Sequence, residues 1–393
     1  MRPLKNTTAV RRHNMAALLQ LIESKGPISR AELSRVSGLS QPTVSGAMEG
    51  ILKSGLVRAI GAGDSTGGRR PELLAYNAEA GYVVGVDLGG TNLKLGLTDL
   101  AGKVLHRLDE PTPKESAAQD SVVRAIFAAV ERLIKESGIR WKDIIGIGIG
   151  APGVTDPDTG LVALAPAVGW NKTPVKRLLS ERFGLPCHVD NDVNAAALAE
   201  MTFGKGPKLD NFIFLAIGTG IGAGIVIDGK IYRGRNHAAG EVGYLVIDRA
   251  WKPDSVTDFG CLESMAAAPA ILRKASSVLP ELDGEADPGT VEAVFDLARR
   301  GDGAAVEVVE EIAGYIGIAL ANLAVVLDPE AIVLGGGVSQ AGDVLVELVK
   351  RKLKQVSPIV PQVYVSSLGA DAGMLGAAAL AINAGKERLL NAI

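Results

Sequence analysis

The sequence is poor in cysteine, and its hydrophobic residues are not gathered into membrane-length runs. It has two cysteines, Cys187 and Cys261. Two thiols so far apart exclude a disulfide scaffold and fit a cytoplasmic location. No apolar run is expected to reach the ~18–20 residues of a membrane-spanning helix. The opening MRPLKNTTAVRRHN is basic but lacks an apolar core, so no secretory signal is expected. With 47% hydrophobic and 22% charged residues, the chain is globular rather than disordered. At 393 residues, two or three domains are expected.

Negative charge is scarce at the front. Residues 1–80 carry 11 Lys and Arg against 6 Asp and Glu, and the remainder carries 30 against 38. A basic segment on an acidic body suits contact with a polyanion, although a solvated tail has the same composition. Apolar spacing at Met15, Leu18, Leu19 and Ile22 predicts a helix over Asn14–Ser24. Gly26-Pro27 ends it. Ser29 and Glu32 form a capping-box pair opening a second helix, and Gly38 permits a turn. Ser40 caps a third helix, with Pro42 in its first turn and Val44, Met48 and Leu52 inward. Gln41, Thr43 and Ser45 lie where a recognition helix meets base edges. A short strand, Leu56–Arg58, leads into GAGDSTGGRRP, a wing whose Arg69 and Arg70 suit phosphate or the minor groove. The alternative is a small helical domain that binds a protein partner.

From Gly81 the pattern becomes α/β and repeats. The segment beginning YVVGVDLGGTNLKLG reads strand, glycine turn, strand, acidic turn, strand. NFIFLAIGTGIGAGIVIDGKIY has the same order about 130 residues later. Two such turns suggest similar lobes facing one cleft, with turn amides free to meet phosphate oxygens. A long helical stretch (Val306 to Leu323) precedes AIVLGGGV, whose glycines leave room for a flat group. Asp87 could hold a metal ion or its water. Any one of these turns alone could be an ordinary hairpin.

In combination the motifs resemble the ROK family of repressors and sugar kinases. DLGGTN at 87–92 is similar to its first phosphate motif, IGTGIGAGIVIDG at 217–229 to the second, and VLGGGVS at 333–339 to the adenosine motif. GIGAPGVTDPDTG at 148–160 and NDVNAAALAE at 191–200 resemble its sugar-side motifs. The resemblance implies an actin-like ATPase (ribonuclease H-like) α/β body of two lobes, preceded by a winged helix-turn-helix. The expected divisions are a DNA-binding domain at 1–80, a first lobe at 81–195 and a second at 196–393, with the last helix free to return to the first lobe.

It further implies nucleotide contacts at Asp87, Gly89, Gly90, Thr91, Gly218, Thr219, Gly220, Gly335 and Gly336. Sugar contacts fall at Gly153, Asn191, Asp192, Glu241 and Glu263, and Asp192 is the base if the chain is a kinase. Read without the resemblance, Asp192 is equally a helix cap. The sequence departs from the family at Tyr244, where a His is usual, and at Ala167, where an Asn precedes the retained Trp170. The zinc cysteines are reduced to Cys261, with His237 nearby, so no structural zinc or other metal site is expected. The two missing polar contacts leave the sugar unnamed. A sugar-responsive DNA-binding regulator, a homodimer on two half-sites and in need of no cofactor, is the expected function. The alternative is an active sugar kinase using ATP and Mg.

Overall fold

The computed structural model describes residues 7–62, 70–113, 120–204, 208–252, 260–279 and 290–392. The first three helices span Thr7–Lys25, Arg30–Ser37 and Gln41–Lys53. Ser29 and Ser40 cap the second and third, accepting from the amides of Glu32 and Thr43. Only half of the expected capping box forms. The Glu32 carboxylate is engaged by Arg35 one turn on. The first helix begins seven residues before the expected start at Asn14. Its early turns carry no apolar stripe, yet Arg11 and Met15 lie directly against Gly50 of the third helix.

The strand after the third helix runs Val57–Ala62, past the expected Arg58, with an irregular register at Gly61. It pairs antiparallel with Glu72–Tyr76, which also pairs with Ile28–Ser29. Three helices and this hairpin make the winged helix-turn-helix that the sequence predicts.

The body holds two five-stranded sheets of the same design. The first has the order Cys187–Asn191, Ile144–Ala151, Tyr82–Leu88, Asn92–Asp99, Val104–Pro111. The second mirrors it with strands Lys230–Tyr232, Ile221–Ile227, Phe212–Ile217, Ala331–Gly335 and Gln362–Val365, listed from its hairpin end. Counted from its hairpin end, each has two antiparallel pairings and then two parallel ones. The repeated glycine-turn segments are therefore the equivalent hairpins of two lobes. Alternation of polar and apolar residues is nearly absent from the central strands because both faces are covered.

Helix Asp192–Phe203 lies between the sheets, with Val193 and Ala197 against Gly222 and Gly224. The last helix, Ala372–Asn391, returns to the first lobe. Gly85 and Gly148 of the sheet meet Met374, Ala377 and Ala378, and Gly376 meets the backbone of Ala195. Side chains this short let helix and strand backbones approach closely. Helix Gly303–Leu327 is long and apolar enough to cross a membrane by length and composition, contrary to the expectation that no such segment exists. In the fold it is the centre of the second lobe's core, burying Val308, Ile312, Ile316 and Leu320.

The N-terminal head is not tethered loosely. Its core is continuous with the body: Met15, Leu18, Ile22 and Leu74 share one cluster with Val83, Leu100, Ala378 and Ile382. Lys386 of the last helix pairs with Glu23 of the first. The same ammonium sits 5.0 Å from the ring centroid of Tyr76, whose hydroxyl donates to the Leu100 carbonyl at 3.1 Å.

Candidate functional site

A cleft of about 500 Å³ opens between the lobes. Asp87 enters it from the end of a first-lobe strand, and Asp192 from the first turn of the interlobe helix. Gly336 and Gln340 close the second-lobe side. Burial pushes the Asp87 carboxyl up to about 6, offset in part by Lys94. Burial, then the nearby charge of Asp87, pushes Asp192 up to about 7, and Glu241 adds to it. A carboxyl that titrates near neutrality can both take and give a proton.

Gly336 has φ +81, and a methyl there would strike the carbonyl of Ile217. The bare backbone at this turn is required by the fold and leaves the cleft wall flat. Gly335 is placed differently. It is buried behind the wall against the ring of Phe214. Gly89 donates to the Asn92 carbonyl, and its own carbonyl accepts from Thr112 Oγ1 at 2.7 Å. Gly90 lies beside Ala167, so the turn carrying that substitution covers the first glycine loop. Thr91 is exposed. In the second glycine turn Gly218 donates to the Gly220 carbonyl at 2.9 Å, and Thr219 lies between them. Of the expected nucleotide residues, the cleft wall includes Asp87 and Gly336; Gly335 ends a strand behind it, and the rest lie in the two glycine turns.

The sugar-side residues form a neighbouring group. Asn191 caps the interlobe helix, its Oδ1 accepting from the amides of Val193 at 2.9 Å and Asn194 at 3.0 Å. Its Nδ2 donates to the Gly153 carbonyl at 3.1 Å. The cap is thus chiefly Asn191; Asp192 Oδ1 also accepts from the Val193 amide at 2.9 Å, and its carboxylate lines the cleft. Gly153 itself has φ +81 with the Leu164 carbonyl close behind, a place no side chain could occupy. Glu263 Oε2 accepts from the Ile221 amide at 2.7 Å and lies against Gly220, tying the second glycine turn to this group. Burial raises both Glu241 and Glu263, and Glu263 raises Glu241 further. Tyr244, where a His was expected by resemblance, is 52% exposed.

Sequence reasoning missed four features here. Lys94 faces the cleft beside Asp87 with its Nζ 3.5 Å from the Ala370 carbonyl. Strand alternation from Asn92 could have placed it. Gln340 and Gly373 come from the second lobe and the last helix, and Gly373 leaves room for the Asp87 carboxylate. The fourth is an ion pair between half-buried Arg233 and buried Asp190.

Among the described residues no group of three or more His, Cys, Asp or Glu could hold a metal ion. The zinc expectation rested partly on residues 253–259, which lie outside the described residues. Cys261 Sγ faces Met265 Sδ, and His237 Nε2 faces Asp156.

On the head, Gln41, Thr43 and Ser45 are exposed near the N-terminal end of the third helix, while Val44 and Met48 are buried. Thr43 Oγ1 is 2.8 Å from Ser40 Oγ, so it also helps close the cap. Arg70 is exposed at the base of the wing. Arg69 lies outside the described residues.

The ROK family model matches residues 83–384. The chain belongs to the ROK family. It is 32% identical over 393 residues to the xylose repressor of Caldicellulosiruptor bescii, covering 96% of this chain and 97% of that one. It is 38% identical over 310 residues to a glucokinase of Halalkalibacterium halodurans, which covers 75% of this chain and 93% of the relative. A solved ROK transcriptional regulator, a homologue of the E. coli MLC protein, superposes with a TM-score of 0.83 at 28% identity and 98% coverage of both chains. The family therefore holds both regulators and kinases. The match to the regulators includes the head, and the match to the glucokinase covers only three quarters of this chain.

Proposed function

We propose that this ROK protein is a sugar-responsive repressor whose head binds an operator and whose interlobe site binds the releasing sugar. The observation that carries the reading is the docked head. A winged helix-turn-helix with a polar, exposed third-helix face is packed on the body by a shared core and the Glu23–Lys386 pair. A change in the body can therefore reach the DNA-reading surface. Two heads in a homodimer would read two half-sites about one helical turn, or a multiple of it, apart. The sugar must bind the two body states unequally, or it switches nothing.

The relatives' names favour D-xylose as the first sugar to try. The site supports a small sugar: Ala167 and Tyr244 replace two polar groups, which suits a ligand with fewer hydroxyls to satisfy. Glu241, Glu263, Asp192 and the Asn191–Gly153 turn would accept and donate the remaining hydrogen bonds. The test is DNA binding by the full chain to the region upstream of its own gene, at stated salt, with and without D-xylose, glucose and N-acetylglucosamine. Sugar-dependent release supports the reading, and no DNA binding at low salt overturns it.

A second reading, ATP-dependent sugar phosphorylation, is favoured by one observation. Asp192 is raised to about 7 in the same cleft as Asp87. Such a carboxylate suits a base that takes the proton of a sugar hydroxyl. ATP with Mg would supply the phosphoryl group and offset its charge, with Asp87 placed for the ion or its water. The glycine turns and the flat wall at Gly336 fit a nucleotide. Turnover with ATP that disappears in Asp192→Asn decides for this reading.

A further inference from the structure

One segment of the second lobe is fastened to the first lobe at two points beside the sugar-side group. It runs from strand Lys230–Tyr232 to Glu241. Near its start, Arg233 Nε lies 3.2 Å from Asp190 Oδ2, and Nη2 reaches the same oxygen. Near its end, His237 Nε2 lies 3.7 Å from Asp156 Oδ1, with the His237 backbone at φ +57, a left-handed conformation uncommon for a residue with a side chain. The Ala239 amide donates to the Arg233 carbonyl at 3.1 Å, closing the segment on itself.

The Arg233 contact matters most because of what Asp190 holds. Asp190 is 1% exposed. A carboxyl group that buried needs close hydrogen-bonding partners. Its Oδ1 accepts from the Asn191 amide at 2.9 Å, one residue before the carboxylate that enters the cleft. The planar guanidinium fixes direction as well as charge, which an ammonium would not.

We propose that Arg233 is a positioning residue for effector recognition: through Asp190 it sets the Asn191–Asp192 turn of the first lobe against the second-lobe loop that carries Glu241. The inference rests on the sugar-binding reading of that site. Arg233 touches no effector. A ligand that bridges the turn and Glu241 finds both in register only while the pair is made. The head is held elsewhere, by the last helix, so DNA affinity is independent of Arg233.

The test uses the full-length protein and three variants: Arg233→Ala, Arg233→Lys, and Asp190→Asn combined with Arg233→Gln. D-xylose and the sugar panel are titrated by calorimetry. Hydrogen exchange is followed in the sugar-free proteins at Val193 and Asn194, whose amides the turn protects. Arg233→Ala should weaken sugar binding about tenfold or more and speed exchange at both amides, with DNA affinity unchanged. Arg233→Lys should recover part of each. The uncharged pair should melt near wild type yet bind sugar as weakly as Arg233→Ala, which separates positioning from folding and stands in if the alanine variant does not fold. Unchanged exchange at Val193 and Asn194, or wild-type sugar affinity in the alanine variant or the uncharged pair, overturns the proposal. Wild-type protein that binds DNA but no sugar defeats the sugar reading instead, and exchange alone then decides whether Arg233 holds the turn.

Discussion

Asp87 and Asp192 reach one cleft from different elements, and the charge of Asp87 disfavours ionisation of Asp192. Neither has an arginine or lysine in an ion pair among the described residues. Lys94 offsets Asp87 only from a distance.

This arrangement costs stability in a predictable pH window. The folded-state value of Asp192 is raised from 3.8 to about 7. Its contribution to stability is therefore whole below about pH 4 and is lost as the pH rises through 7. Asp192→Asn should be more stable than wild type at pH 8, by on the order of 1–2 kcal/mol after solvent screening, and equal to it at pH 4. Thermal melts across pH 4–8 check this. A gap independent of pH would show that ionisation is not the cause.

Gly336→Ala should displace the turn that forms one wall of the cleft. The added methyl meets the Ile217 carbonyl, and the left-handed backbone adds a strain of about 1 kcal/mol. Affinity for an ATP analogue should fall at least about tenfold, a loss of roughly 1.4 kcal/mol, with operator binding unaltered in the absence of sugar. Titration of the analogue beside a DNA-binding assay measures both.

The head offers two separable effects on DNA. Gln41→Ala should relax preference at one base position and cost about 1–3 kcal/mol on the cognate site. Arg70→Ala should weaken binding to all sequences alike and reduce the salt slope by about 1. Anisotropy titrations at several salt concentrations, on operator and scrambled DNA, distinguish them.

Lys386→Ala removes both the Glu23 pair and the contact over Tyr76. The loss should be about 1 kcal/mol, confined to the docking of the head. Hydrogen exchange should rise in Thr7–Lys25 while the second-lobe sheet stays protected. Uniform change throughout the chain would instead place the effect on global stability.

Much of the architecture was legible because it follows from local rules. The capped helices at Ser29 and Ser40 and the two glycine hairpins each carry their own signal within a dozen residues. What escaped depends on distant partners. Nothing around Thr7 predicts that Arg11 will pack on Gly50, so the first helix was begun too late. Gly335 and Gly336 are neighbours of one type, yet Phe214 stands behind one and the cleft opens before the other. Arg233 and Asp190 are 43 residues apart, and no spacing links them. Glu32 matched a capping box, but Arg35 competed successfully for its carboxylate.

The placement of the final helix bears on how the protein is made. Residues 372–391 cover the first-lobe sheet and supply the surface on which the head docks. They leave the ribosome after every strand of both sheets. The head can form its own helices early, since its capping and hairpin signals are local, and the second lobe can pair its strands as they emerge. The first lobe, though begun before the second, must wait with its sheet uncovered until this helix emerges. A chain that stops before residue 372 thus carries a head without its docking site.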